Sequence, residues 1–513
     1  MSPPVVLTNG QHEIKIYIVQ NRGRAVFQLS FYEDGYRHAM RLTDTKMYAR
    51  VLAGDAAYNG RFFTGVLTTG IYCLPSCKAR KPLRANVRFF PTCEAARAAG
   101  LRSCKKCHPD DYSRGADPVL AAIEALVTEV RERPAEFADA RAIVRRSGFG
   151  SSRAFELIRE HYHSTPADLL TRARLDAAKR LLLTTKAGLT DIAGEVGFES
   201  LSVFHAQFRL RNGLTPVAFR ELSTTRSFTL SLPAAHPVGY LRRALGRDPD
   251  SVTEKLNGDT YSAGVQLSSG PALLTLKLAS DKVWVEISSG SAAEAHAVAI
   301  GLLGLGEDTA RFIRLARKLG LTRLINGRDG LRISQTPSVF DGVLWSIIGQ
   351  QINWPFACLL RRRLILLTGT ALRDGLYAPP TPAAVAALDP ADLLPLQFSR
   401  QKADYVVATS RLIATGQLDL PTLQSMSATR AERTLLAVRG LGPWSVNYLL
   451  MRALGFADCV PYGDTGVTSG LQALLDLDER PDIDATRRLM AVFSPYRSLA
   501  TNHLWQFSQP VPT

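Results

Sequence analysis

Membrane-length apolar runs are missing from this 513-residue chain. Stretches such as LILL fall far below the roughly 20 residues that cross a bilayer. The start, MSPPVVLTNGQHEIKIYIVQ, lacks a basic segment followed by an apolar core, so no secretory leader is expected. Acidic residues are in deficit: 62 Lys and Arg face 46 Asp and Glu, a formal net charge of +16. The imbalance says nothing about fold, but it favours a polyanionic partner. Cysteine is scarce, with seven in all. In a reducing compartment so few thiols do not build a disulfide framework, and a cluster of them points to metal or reactivity. A soluble cytoplasmic protein is expected. Its length exceeds what one core supports and implies three or four domains.

Four of the seven cysteines lie in one short stretch, Cys73 and Cys77 as C-x3-C, then Cys104 and Cys107 as C-x2-C. That is zinc-site spacing, and four thiolates complete a tetrahedral site. Between them Lys78, Arg80, Lys81, Arg84, Arg88, Arg97, Arg102, Lys105 and Lys106 face a single acid, Glu94. Cys93 fits no ligand spacing and reads as a semi-buried thiol. The segments TTGIYCLPSCKARKP, NVRFF and AGLRSCKKCHPD resemble the methylphosphotriester-sensing domain of the Ada family. The resemblance implies that Cys73 is both zinc ligand and methyl-accepting nucleophile, with Cys77, Cys104 and Cys107 as the remaining ligands. It also implies backbone contacts to DNA at Thr69 and Arg80, and Arg102, Lys105 and Lys106 join them as basic candidates. Zinc keeps a cysteine sulfur as thiolate, the nucleophilic form. Methylation would remove one negative charge and raise affinity for phosphate.

An internal repeat follows. GFGSSRAF (Gly148 to Phe155) matches GFESLSVF (Gly197 to Phe204), and each copy reaches a Thr-Pro about ten residues on. A short helix, a glycine-containing turn and a second helix make a helix-turn-helix. The pair, and DIAGEVGFESLSVFHAQFRLRNGLTPVAFR most closely, resembles the AraC-type DNA-binding module. Second helices are expected near Ser151 to His161 and Ser200 to Arg211, facing the major groove. Ser152, Arg153, Glu156, Ser202 and His205 are the candidate readers. Phe155 and Phe204 are expected in the core.

Beyond residue 226 short alternating segments (SFTLSL, YSAGVQL, ALLTLKL, KVWVEIS) predict a small antiparallel sheet, followed by helices to the end. VRGLGPWSVNYLL carries the G-x-G turn of a helix-hairpin-helix, where Gly440 and Gly442 let backbone N–H groups approach a phosphate. With WSIIGQQIN and VPYGDTGV it resembles the AlkA-type 3-methyladenine DNA glycosylases of the helix-hairpin-helix superfamily. The resemblance implies that Asp464 is the catalytic carboxylate, stabilising an oxocarbenium-like sugar. Trp444, Tyr448 and Trp505 would line the pocket for a flipped base. Gln350 and Gln351 would meet DNA, Gln351 as the wedge. Lyase-competent relatives such as endonuclease III carry lysine where this chain has Trp444, so a monofunctional enzyme is expected. No cysteine follows Cys459, so no iron–sulfur cluster is expected. A PCHR-like methyltransferase motif is also lacking.

The expected fold class is multidomain α+β. Residues 1–45 are an unassigned extension and 46–115 a small zinc-bound α/β domain. Residues 117–224 are an all-α tandem helix-turn-helix. Residues 226–325 are an α/β subdomain and 326–513 an all-α helix-hairpin-helix glycosylase domain. The expected partners are double-stranded DNA, both alkylated DNA and a promoter operator, and RNA polymerase. No membrane contact is expected, and the chain should be a monomer, bacterial and nucleoid-associated. Two rival readings remain: a repair glycosylase with a purely structural zinc and helix-turn-helix arm, or a transcription factor whose glycosylase region is inactive.

Overall fold

The computed structural model describes residues 5–8, 13–21, 24–29, 42–55, 58–113, 117–233, 236–507 and 509. Two units emerge, Phe31–Leu126 and a larger one of Met1–Ser30 with Val127–Thr513. No described helix is long and apolar enough to cross a membrane.

In the smaller unit a four-stranded sheet runs in the order Val87–Phe90, Phe63–Val66, Ile71–Cys73, Arg102–Ser103. Only the last pairing is parallel. Phe63, Tyr72, Leu74, Phe90, Cys93, Ala96 and Leu101 form its core. Gly65 is obligatory there, because a Cβ would lie 2.5 Å from Leu101 Cδ1 and 2.6 Å from the Phe90 ring. Cys93 is only 1% exposed, more deeply buried than expected. Desolvation pushes its thiol up to about 11, which keeps it protonated and inert.

In the larger unit Val5–Thr8, Glu13–Asn21 and Arg24–Leu29 pair as an antiparallel sheet, in line with the alternation in this segment. Two helix-turn-helix motifs follow. Ala140–Arg146 precedes Ser151–Tyr162, and Leu189–Glu195 precedes Leu201–Asn212, with Pro166–Thr184 as the linker. Phe204 is fully buried, as expected, but Phe155 is 37% exposed. The repeat is offset by one residue against the helices. Ser200 caps its helix from outside, whereas Ser151 is already the first helical residue. Ala154, and not Phe155, therefore takes the place of Phe204, and one position turns a side chain by about 100°.

The predicted sheet is antiparallel throughout, in the order Ser227–Ser231, Lys282–Ile287, Gly270–Leu278, Thr260–Leu267, Glu254–Asn257. Its apolar face does not stop at the end of the helix-turn-helix pair. Leu182, Phe204, Phe208, Phe219 and Leu222 share one continuous core with Leu230, Leu274, Val285 and Leu302. His296 seals the junction, with its Nε2 2.7 Å from the Asn212 carbonyl and its ring edge-on to Phe219. The first motif meets the C-terminal helices instead. His161 Nδ1 lies 2.8 Å from Thr429 Oγ1, on the helix Ala428–Leu436, and the His163 ring packs edge-on to Phe456.

Candidate active site and metal centre

Strand pairing assembles the four cysteines. Ile71–Cys73 ends at Cys73, its parallel neighbour Arg102–Ser103 leads into Cys104, and the Cys104 N–H donates to the Tyr72 carbonyl at 3.0 Å. The four sulfurs lie within 4.8 Å of one another, and Cys77 and Cys104 are 4.0 Å apart. Tetrahedral zinc thiolates stand about 3.8 Å apart, so the set fits zinc. Four thiols packed this closely crowd each other's protons. A divalent ion removes that conflict. Backbone N–H groups support the cage, Leu74 N to Cys107 Sγ at 3.3 Å and Lys106 N to Cys104 Sγ at 3.4 Å. Cys73, Cys77 and Cys104 are buried, while Cys107 is half-buried. Thr69, Arg80, Arg102, Lys105 and Lys106 are all exposed. Lys81 differs, because its Nζ donates to the Cys77 carbonyl at 2.8 Å and belongs to the scaffold.

A second constellation occupies a cleft of about 1040 Å³ in the larger unit. Asp464 caps the helix Thr465–Leu475, and its Oδ1 accepts from the Val467 N–H at 3.0 Å. Two indoles complete its shell: Trp505 Nε1 donates to Oδ1 at 2.9 Å and Trp444 Nε1 to Oδ2 at 3.2 Å. The carboxylate is half-buried and so still open to the cleft. Trp444 and Tyr448, one helical turn apart on Pro443–Arg452, stack at 5.4 Å and 15°. Trp505 lies 6.5 Å from Tyr448. All three expected pocket aromatics thus meet around Asp464. The indole N–H bonds to Asp464 were not legible in sequence, since they join residues up to 41 positions apart.

The hairpin between Ala428–Leu436 and Pro443–Arg452 needs its first glycine. Gly440 has φ +99°, and a Cβ there would lie 2.4 Å from the Tyr405 ring. Gly442 faces open space at the exposed start of its helix. Gln350 does not project as a DNA contact would. Its Nε2 donates to the Gly440 carbonyl at 2.7 Å and to Ser445 Oγ at 2.8 Å, tying its loop to the hairpin. Gln351 is exposed at the cleft, in the left-handed region at φ +56°. Lys402 was missed in sequence. Its Nζ donates to the carbonyls of Ile347, Ile348 and Gln350 at 3.3, 2.9 and 2.6 Å, closing the end of the helix Val339–Ile348 that leads to Gln351.

On the helix-turn-helix pair Ser152 and Ser202 are exposed and Glu156 and His205 half-buried. Arg153 is paired with Glu156 at 3.3 Å, one candidate reader holding another.

Residues 46–110 match the metal binding domain of Ada, 142–222 a helix-turn-helix domain, and 344–495 the HhH-GPD superfamily of base excision DNA repair proteins. A Mycobacterium tuberculosis protein named "Probable bifunctional transcriptional activator/DNA repair enzyme AlkA" is 27% identical over 489 residues, covering 90% of this chain and 95% of that one. The Bacillus subtilis bifunctional transcriptional activator/DNA repair enzyme AdaA is 35% identical over 189 residues, 36% of this chain and 86% of the relative. The DNA-3-methyladenine glycosylase of Bacillus subtilis is 31% identical over 206 residues, 39% of this chain and 68% of the relative. Carrying the cysteine cage, the paired helix-turn-helix and the aspartate-centred aromatic cleft together, the chain belongs to the family of bifunctional transcriptional activator/DNA repair enzymes that joins Ada-type to AlkA-type modules.

Proposed function

We propose that the chain excises alkylated bases of the 3-methyladenine type from double-stranded DNA and senses methylphosphotriesters at its cysteine cage. The first half rests on one observation above the others: a carboxylate oriented by two indole N–H groups and a backbone N–H, inside an aromatic cleft. A base flipped between Trp444, Tyr448 and Trp505 leaves with the electron pair of its N-glycosidic bond. Asp464 offsets the positive charge that grows on the sugar and orients the water that adds to the anomeric carbon. The products are the free base and an abasic site. Trp444 supplies no amine for a Schiff base, so the strand is not cut. Gln351 fills the gap left in the stack, and the open amides at Gly442 receive a phosphate.

Release of 3-methyladenine from alkylated duplex by the full chain and by Asp464→Asn tests this half. A loss of about a hundredfold or more is expected on the scale of a removed transition-state stabiliser. Equal release would remove Asp464 from the mechanism, and no release by either protein would leave a DNA-binding regulator.

In the sensing half, Cys73 Sγ bonds the methyl carbon, the carbon–oxygen bond breaks, and the phosphate oxygen keeps the electron pair. Zinc, when bound by Cys73, Cys77, Cys104 and Cys107, holds the attacking sulfur as thiolate. Thr69, Arg80, Arg102, Lys105 and Lys106 take the flanking phosphates. Loss of one negative charge then raises affinity for a promoter read through Ser202, His205 and Arg153. Peptide mass spectrometry after exposure to methylphosphotriester DNA locates the methyl group. A methyl on Cys73 supports the assignment, one on the more exposed Cys107 would move it, and none would make the cage purely structural.

A further inference from the structure

The two helix-turn-helix copies come into register when their second helices are counted from their first helical residues, Ser151 and Leu201. Ala154 then meets Phe204 and Ile158 meets Phe208, and all four are 0% exposed. The same count pairs Ser152 with Ser202, Phe155 with His205 and Arg159 with Arg209. Ser152, Phe155 and Arg159 recur at helical spacing and share the face turned away from that core. All three are exposed, as are Ser202 and Arg209, while His205 is half-buried. Phe155 therefore stands where the second copy carries an imidazole on its outer face.

The roll of the first of these helices is fixed. Its buried residues are Ala154, Leu157, Ile158 and His161, and His161 Nδ1 lies 2.8 Å from Thr429 Oγ1. The capping residue His163 accepts the Asp458 N–H at 3.1 Å. Bringing the Phe155 ring inward would turn the helix by about 100° and break both bonds. The ring accordingly stays 37% exposed. A lone apolar side chain on a surface is ordinary. This one sits between a serine and an arginine on the face that the promoter reading turns to DNA. Among the described residues the side chains of Arg159 and Arg209 make no hydrogen bond or ion pair, which leaves them to the flanking phosphates.

We propose that Phe155 is a specificity-determining residue that reads the C5-methyl group of a thymine in the operator. The inference rests on the promoter reading above and deepens it. The thymine methyl is the apolar group on the major-groove edge of the base pairs, and an apolar side chain is its match. Cytosine offers an N4 amine there, whose N–H would lose water against the ring and find no acceptor. His205 in the second copy carries ring nitrogens and pairs with polar groups on a base edge. The two copies thus read different base edges, and the operator is not a direct repeat of one half-site.

The test uses the full zinc-loaded chain after exposure to methylphosphotriester DNA. It selects duplexes of about 30 base pairs from a random pool, room for two half-sites one helical turn apart. In the selected duplex each thymine is replaced in turn by deoxyuridine, which removes the methyl and keeps the pairing. Binding is read on duplex recovered intact. At one position the wild-type chain should bind about fourfold more weakly, the worth of one buried methyl group. Phe155→Ala should lose at least that much on the thymine duplex and be indifferent to the replacement. Phe155→Leu keeps an apolar contact and should retain part of the difference. Melts of both variants should match wild type, because the ring lies outside the core. A penalty that survives in Phe155→Ala would give the methyl to another residue and overturn the proposal. A selected duplex with no methyl-sensitive position, or a melt lowered as far as by a core truncation, would overturn it too. A wild-type chain that enriches no sequence would overturn the promoter reading itself, and the proposal with it.

Discussion

Three histidines in the larger unit are buried and neutral: His236 is 8% exposed, His296 4% and His503 0%. Each has one ring nitrogen near a backbone carbonyl, His236 Nε2 near Leu303 at 3.3 Å, His296 Nε2 near Asn212 at 2.7 Å, His503 Nδ1 near Leu324 at 3.3 Å. For His236 and His503 the second nitrogen is buried with no partner. Protonation would place a charge and a new N–H donor where nothing accepts it. Burial accordingly holds His236 and His296 down to about 4 and His503 to about 3, against 6.5 in the unfolded chain. A group held below its unfolded value takes its proton first in the unfolded chain. The stability these histidines contribute is therefore complete above pH 6.5 and is lost as pH falls towards 4.

The size follows from linkage: about 3 kcal/mol each for His236 and His296, and about 5 for His503. Together these reach about 10 kcal/mol, comparable to the whole stability of a typical domain. Near pH 5 the slope should be about 4 kcal/mol per pH unit: His163, which burial holds down to about 4, adds a further proton taken up on unfolding, and Glu307, which burial pushes up to about 7, gives one back, so the net stays near three. Urea unfolding followed by far-UV circular dichroism at pH 7.5, 6.5, 5.5 and 5.0 measures it. The midpoint should hold between pH 7.5 and 6.5 and then collapse. A midpoint that is flat down to pH 5 would refute the reasoning, since Glu307, whose carboxyl burial pushes up to about 7, offsets only about one of the histidine protons, and His163, held down to about 4, restores that one.

Other expected outcomes are more local. Gly440→Ala should destabilise the larger unit by about 2–4 kcal/mol in urea unfolding, through a strained positive φ and contact with the Tyr405 ring. Gly442→Ala, which faces open space, should cost less than about 1 kcal/mol. Chelating zinc should expose residues 46–110 to protease, because the cage crosslinks both ends of a small core. Protection that survives chelation would show that the core stands alone. A chain ending at residue 225 should bind a hydrophobic dye and melt without cooperativity, because Phe208, Phe219 and Leu222 lose Leu230, Val285 and Leu302 as neighbours. A sharp melt would separate the two modules.

Cysteine spacing, the Gly-Phe repeat and the hairpin glycines were legible in the sequence because each is local. A zinc cage needs ligands at short intervals, and a helix-turn-helix needs a turn residue between two apolar periodicities. The Phe155 and Phe204 pair shows the limit of that logic. The letters align, yet a cap offset by one residue turns one ring into the core and leaves the other on the surface. Gln350 shows a second limit: a polar side chain expected to meet DNA is bonded inward to the hairpin, which lies some 90 residues away.

By itself the sequence determined the modules, their order and the residue types of both sites, since composition and spacing carry the chemistry of zinc, phosphate and an aromatic base pocket. Tertiary structure alone decided that Trp444 and Trp505 both point their N–H groups at Asp464, and that Lys402 closes the loop bearing Gln351. It also decided that the second helix-turn-helix shares a core with the following sheet, and that Arg247 comes to rest on Trp354. These outcomes depend on directional bonds and close packing between residues far apart in the chain. No local pattern encodes them, because the energy that selects them exists only once the distant surfaces meet.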